Sequence, residues 1–192
     1  LAGGQSRRFG TDKARFEVDG RPMIVRVYEA VAPLCTSVLI GAGRNAAAAP
    51  LPESVRPVLD RYPEAGPLAS LHVGLAEAET SWVLAVACDM PYLHPAVLAQ
   101  LAAARRPDVL AVVAQTPDAR RHPLCACYRT SALPVVEAQL RAGRRALHAL
   151  LDLLPVQLVP LPEAPLRNIT TPPDLAGDLS RRNDRGMAAT CS

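Results

Sequence analysis

The sequence predicts an α/β fold, a mostly parallel sheet with helices on both faces. Three observations carry that expectation. Short apolar runs of strand length alternate with segments of helical spacing along the chain, the pattern of a sheet layered between helices. The run at 82–87 is apolar or small at every position, as a strand covered on both faces must be. The 192 residues are 49% hydrophobic but only 4% aromatic, an Ala/Val/Leu interior large enough to need no disulfide staples. One domain over residues 1–179 is expected, followed by a polar, small-residue tail at 180–192 expected to be disordered.

The elements follow in order. Residues 1–15 form a glycine-rich loop, and such a loop normally follows a strand whose carboxyl end aims it at a ligand. An apolar strand is therefore expected upstream of Leu1. Residues 16–22 read as an extended piece turning at Asp19-Gly20. Helical spacing covers 23–31, with Pro22 at a permitted first-turn position. A buried strand at 37–40 leads into Gly41, and the Ala/Pro-rich 44–52 reads as a weak helix or loop. A strand at 55–59 ends in Asp60, and a helix at 67–78 starts just behind Gly66. The strand at 82–87 ends in Cys88-Asp89-Met90-Pro91. Helices are expected at 95–104, 131–142, 145–154 and 172–179, and strands at 109–114, 122–128 and 156–159. No internal repeat or dividing linker interrupts this order.

Charge is concentrated rather than spread. The formal net charge is +3, yet residues 1–15 carry Arg7, Arg8, Lys13 and Arg15 against Asp12 alone. The tail adds three Arg against one Asp, so the remaining body is nearly neutral and a poor nucleic-acid binder by bulk charge. Of the 21 basic residues, Lys13 is the only lysine. An ammonium is a compact point charge where a guanidinium is a wide fork, so Lys13 reads as a position where only the compact charge fits. No apolar segment approaches the roughly 20 residues that span a bilayer, and no signal peptide is visible, so a cytoplasmic protein is expected.

The five cysteines form no zinc pattern. Cys88 sits in an apolar run and Cys125 and Cys127 alternate in an expected strand, which reads as small buried hydrophobes in a reducing compartment. His72, His94 and His148 are expected in solvated or capping roles. His122 reads as a surface turn or as a phosphate contact beside Arg120 and Arg121, and Arg144 and Arg145 as a solvated patch.

Ligands of open α/β sheets bind at the carboxyl ends of strands. Residues 1–13, Asp60, Gly66-Pro67-Leu68 and Asp89 all fall there. Gly3, Gly4 and Gly10 permit close approach of backbone N–H groups to phosphate oxygens, and Arg7 and Lys13 would neutralise the charge. Composition leaves a solvated surface loop open as the other reading. The loop matches neither the Walker pattern nor Gly-x-Gly-x-x-Gly.

The stretch Leu1-Ala-Gly-Gly-Gln-Ser-Arg-Arg-Phe-Gly-Thr-Asp-Lys13 resembles the signature of the molybdenum cofactor guanylyltransferases. Further blocks match in order: Gly20-Arg21-Pro22-Met23, Asp60, Gly66 to Leu71, Cys88-Asp89-Met90-Pro91, His122-Pro123-Leu124, and Arg167 to Leu175. The resemblance implies a Rossmann-like fold of the nucleotide-diphospho-sugar-transferase kind. It also implies transfer of GMP from GTP to molybdenum-molybdopterin, with release of pyrophosphate. It places the nucleotide and its phosphates against Leu1, Ala2, Gly3, Gly4 and Lys13, with Gly41 and Asp60 beside the nucleotide. It gives Asp89 the Mg²⁺, and Arg7, Lys13 and Asp89 the catalytic roles. Molybdenum insertion and molybdoenzyme maturation proteins are the implied partners of a protein expected to be monomeric.

Two positions depart from the family pattern. Gly41 stands where an Asn is common, and Thr170 stands where a second Asn follows Asn168. The alternatives are a molybdopterin cytidylyltransferase or related NTP-transferase, whose loops tend to carry Ala at this point so that Gly3 favours GTP, and a nucleotide-binding module without catalysis.

Overall fold

A computed structural model describes residues 16–42, 51–62, 65–170 and 174. Leu1, Ala2, Gly3, Gly4, Arg7 and Lys13 lie outside the described residues, as do the tail and, apart from Asp174, the helix expected at 172–179.

The described chain forms eight strands and five helices. They are β1 (Glu17–Val18), β2 (Arg21–Pro22), α1 (Met23–Val31), β3 (Leu39–Ala42), β4 (Arg56–Leu59), α2 (Pro67–Ala76), β5 (Trp82–Val86), α3 (Pro95–Ala103), β6 (Ala111–Gln115), β7 (Arg121–Arg129), α4 (Leu133–Arg141), α5 (Leu147–Leu151) and β8 (Val156–Pro160). The expected elements in the described part are all present, most within one or two residues. The helix expected at 145–154 is shorter, confined to α5.

β1 and β2 form a tight hairpin whose turn places Asp19 at φ 52° and Gly20 at φ 74°. Both angles are left-handed, the requirement of a type I′ turn and the reason Asp-Gly suits it. β3 and β4 pair in parallel, Leu39 opposite Arg56 through Ala42 opposite Leu59. The larger sheet has the order β5-β7-β6-β8. β6 and β8 are parallel, whereas β7 runs antiparallel to both of its neighbours. The sheet is thus mixed, with one reversed strand inside it.

The alternation of strand side chains divides the core into two layers. Val112, Ala114, Cys125 and Cys127 face one side, where they meet α1 and α3 through Val27, Val31, Leu98 and Leu101. Ala111, Val113, Ala126 and Tyr128 face the other, against α2, α4 and α5 through Leu68, Leu71, Val136 and Leu150. β6 reads as an unbroken apolar run because both of its faces are covered. The register between β6 and β7 breaks between Val113 and Ala114, at the segment holding Pro123, which has no N–H to give to a ladder. The buried Tyr128 hydroxyl donates to the Pro123 carbonyl at 2.9 Å, holding the irregularity in place. Among the described residues no helix is long and apolar enough to cross a membrane.

The expected burial of Cys125 and Cys127 is observed. Burial raises the Cys125 thiol to about 12 and the Cys127 thiol to about 11 from an ordinary 9.0. Both shifts favour the neutral form in the fold. The stability they contribute is full below pH 9.0 and is lost as pH rises toward those values. The denaturant midpoint is therefore expected to hold level up to about pH 8 and to fall steadily above pH 9, and a Cys125→Ala/Cys127→Ala variant to show a shallower fall. Urea titrations across that range check it, and equal slopes in both proteins would remove these thiols as the cause.

Candidate active site

Asp60 follows β4 directly. α2 follows β4 in the chain and leads on to β5, which pairs in a separate sheet. Gly66, at φ 66°, turns the chain into α2 through a conformation that favours glycine. Ser70 lies in the first turns of α2, 1% exposed, and its hydroxyl donates to Asp60 Oδ1 at 3.0 Å. The Asp60 carboxylate is thereby fixed near a helix N-terminus, where the backbone dipoles favour negative charge.

Asp89 sits in the turn after β5, and that turn is held from several directions. Met90, 1% exposed, sinks into the layer beneath α1 and α3 as an anchor. Arg26 of α1 donates from Nε to the Pro91 carbonyl and from Nη1 to the Val18 carbonyl, each at 3.1 Å. Asn168 Nδ2 donates to Asp89 Oδ1 at 2.9 Å, and the Ile169 amide donates to the Asp89 carbonyl at 2.8 Å. Beside β5, the Ala87 amide donates to the Leu124 carbonyl at 3.0 Å, so the irregular part of β7 supports the same tip.

Ile169 is fully buried in a small cluster with Val18 and Met23, against which Phe16 and Tyr92 pack. Chain from just after the glycine loop and chain from near residue 170 therefore meet beside Asp89. The Tyr92 ring has Arg26 and Arg167 each 6.0 Å from its centroid.

Of the residues singled out in the sequence, the structure thus places Asp60 directly after β4 and Asp89 in the turn after β5, each held by a side-chain hydrogen bond. Gly41 is buried in β3, opposite Val58 in the β3–β4 register. The Thr170 departure has a local use: its amide (2.7 Å) and hydroxyl (2.9 Å) both donate to Asp174 Oδ2, in the manner of a helix cap. Arg144, Arg145, His94 and His148 are exposed, and His94 makes no side-chain cap to α3.

Two histidines are corrected. His72 is not solvated but 2% exposed, wedged between α2 and α4 with Nε2 3.3 Å from Glu137 Oε1 and its ring edge-on to Tyr62. α2 is apolar around its circumference because other elements cover it, and that carries His72 inside. His122 is not on a surface turn but buried within β7. Burial lowers its pKa, helped by the Arg120 charge, so its neutral form is favoured. Ser70, Arg26 and the role of Asn168 toward Asp89 were missed by sequence reasoning. The contacts of Arg26 and Asn168 span 65 and 79 residues, beyond any local pattern.

Oriented carboxylates after two strands of an α/β fold, in a chain whose sequence carries a basic, glycine-rich stretch, are the features of a nucleotidyltransferase. The chain belongs to the MobA-like NTP transferase family, whose domain description matches residues 1–158. The molybdenum cofactor guanylyltransferase of Vibrio cholerae is 33% identical over 181 residues, covering 92% of this chain and 87% of that protein. Molybdopterin-guanine dinucleotide biosynthesis protein A from Archaeoglobus fulgidus shares the fold at TM-score 0.74 and 22% identity, over 94% of this chain and 96% of that one. A Mycobacterium tuberculosis protein solved in complex with manganese shares it at TM-score 0.62 and 16% identity, over 81% of this chain and 83% of that one.

Asn168 is exposed, so its removal should leave the fold intact while taking away one hydrogen bond that orients the Asp89 carboxylate. Asn168→Ala is expected to lower kcat about ten-fold, the equivalent of ~1.4 kcal/mol, with little change in Tm. Steady-state pyrophosphate release and thermal melting together check this, and wild-type turnover would show that the contact does not matter.

Proposed function

We propose that this protein transfers GMP from GTP to molybdenum-bearing molybdopterin, releasing pyrophosphate and forming the guanine dinucleotide cofactor. One observation carries the reading. Phe16, just after the loop with Lys13, packs in the same cluster as Ile169, whose amide holds the Asp89 turn. That packing supports reading the segment before Phe16 as a phosphate cradle that works with a metal-binding carboxylate at Asp89. The name and coverage of the Vibrio cholerae relative support the choice of substrates.

The reaction joins two anions. An oxygen of the pterin's terminal phosphate attacks the α-phosphorus of GTP, and the bond from that phosphorus to the β-phosphate oxygen breaks. The attacking phosphate is already ionised, so no strong base is required, and charge stabilisation dominates. Backbone N–H groups of Leu1 to Gly4 would bind the phosphates, while Arg7 and Lys13 would offset charge on the departing pyrophosphate. Asp60, fixed by Ser70, would orient the nucleotide beside Gly41.

Asp89 would hold Mg²⁺. Among the described residues no group of three or more His, Cys, Asp or Glu could cage a metal. A single oriented carboxylate nonetheless suits Mg²⁺, which takes the rest of its shell from phosphate oxygens and water. When bound, the ion supplies charge neutralisation across the phosphates. The manganese found with the Mycobacterium tuberculosis relative supports a divalent site in this fold. The free, buried thiols of Cys125 and Cys127 are in keeping with a reducing compartment such as the cytoplasm.

Purified protein with Mg²⁺ and molybdenum-molybdopterin is expected to release pyrophosphate from GTP and far less from CTP. A preference for CTP would overturn the guanylyl assignment, and no release with either would overturn transfer altogether. Asp89→Ala should cut turnover by about 100-fold or more while GTP binding by calorimetry persists within about ten-fold. Lys13→Arg should also reduce turnover by about ten-fold or more, because a planar fork replaces a point charge. Full activity in the Lys13→Arg protein would refute the compact-charge reading.

A further inference from the structure

Three consecutive residues after β4 are each held by a different side chain of α2 or of its end. Ser70 donates to the Asp60 carboxylate at 3.0 Å, and Glu77 accepts from Arg61 Nη2 at 3.1 Å. The His72 ring meets the Tyr62 ring edge-on, with 5.1 Å between centroids. The three grips are unequal. The Arg61–Glu77 pair has side chains 61% and 34% exposed, and exposed pairs of this kind stabilise little. The Ser70 bond fixes one oxygen of one carboxylate. Of the three residues, only Tyr62 lays a large side chain against the core, on the layer built with α2, α4 and α5. What holds Tyr62 therefore sets how firmly the segment carrying Asp60 is seated.

His72 is a poor choice for packing alone. α2 is buried at every position from Leu68 to Leu75, and a leucine would fill such a place with no polar atom to desolvate. His72 is 2% exposed, and its Nδ1 has no hydrogen-bond partner among the described residues. A buried nitrogen left without a partner destabilises the fold. The other nitrogen shows what the ring contributes. Nε2 lies 3.3 Å from Glu137 Oε1 on α4, and Arg141 donates to Glu137 Oε2 at 3.1 Å. With the hydrogen on Nε2, the imidazole donates to a carboxylate that is itself held, and this fixes the plane of the ring. In that plane it stands at 87° to Tyr62, the arrangement in which the positive edge of one ring meets the negative face of the other. An aliphatic side chain has neither the donor nor the ring.

We propose that His72 is a positioning residue for the nucleotide site. Fixed by Glu137 of α4, its ring holds Tyr62 and so keeps Asp60, two residues earlier, in the place from which it meets the nucleotide. That Asp60 meets the nucleotide rests on the proposed catalytic reading; the seating of 60–62 by His72 does not. His72 itself is enclosed between α2 and α4 and touches no substrate. Its loss weakens binding in the ground and transition states alike, so affinity for GTP falls while the rate at saturation stays nearly constant.

His72→Leu removes the donor and the ring while filling the space. It is expected to raise the Kd for GTP about ten-fold by calorimetry, with kcat within about two-fold of wild type and Tm no lower. Tyr62→Leu is expected to raise Kd by a similar factor, and the double variant to exceed either single one by no more than about two-fold, because both break one contact. His72→Phe keeps a ring against Tyr62 and is expected to bind GTP within about three-fold of wild type. A second measurement is made without nucleotide. Trypsin cuts after the exposed Arg61, and the rate of that cut, read by mass spectrometry, is expected to rise about ten-fold in His72→Leu as the segment opens more often. Should His72→Leu not fold, Glu137→Ala takes away the same bond from the half-exposed side and carries the same expectations. Wild-type affinity, a fall in kcat at constant Kd, losses that multiply in the double variant, or an unchanged cut after Arg61 would each overturn the proposal. A wild-type protein that binds no GTP would sink the catalytic reading, and the rate of cutting after Arg61 would still decide the role of His72.

Discussion

The site depends on the fixing of the turn after β5. A carboxylate is useful as a metal ligand only when its position survives the arrival of two highly charged substrates. Exposed turns do not meet that condition unaided. Here Met90 locks the turn into the core from below, and Arg26 ties it to α1 and the β1–β2 hairpin. Asn168 and Ile169 hold Asp89 itself by side chain and backbone. Donors placed in advance cost no reorganisation when charge develops in the reaction, which is why electrostatic catalysis favours such rigid mounts. The segment at 167–170 is thereby part of the mount of Asp89 although it lies far from it in sequence.

The core and this turn are linked through β7. Its reversed direction leaves the two faces of the sheet unchanged, since alternation alone decides which side chains point up or down. What the strand adds is its irregularity at Pro123. Tyr128 holds that irregularity from the buried face, and the neighbouring Leu124 carbonyl receives the Ala87 amide two residues before Asp89. A proline that cannot join the ladder thus leaves a carbonyl placed to support the catalytic edge.

Much of this was legible in the sequence, and the reasons are local. The helix at 23–31 shows a helical period, Asp19-Gly20 permits two left-handed residues, and the alternation of Cys125 and Cys127 in an apolar strand implies burial. Asp60 and Asp89 were visible because strand tips in α/β sheets carry ligands. The reversal of β7 was not legible, because a strand covered on both faces reads the same in either direction. Nor was the burial of His72 or His122. An imidazole is polar in any local window, and only the docking of α4 with Glu137 across α2, or the pairing of β7 with β6, takes each one out of water. The mounts of Asp89 failed to show for the same reason: they are made between segments that meet only in the fold.

The placement of positive charge also follows from these mounts. Two arginines lie beside the Asp89 turn in the described structure. Arg26 spends its N–H groups on the carbonyls of Val18 and Pro91, and both guanidinium groups lie over the Tyr92 ring. They stiffen the edge, and a cation so engaged cannot also follow a phosphate through the reaction. On the proposed reading, charge for two anionic substrates has to come from another segment. The sequence concentrates basic residues at 1–15 and holds its single lysine there, three positions before Phe16. Separate structural and substrate-facing cations explain why a nearly neutral body carries so basic a loop.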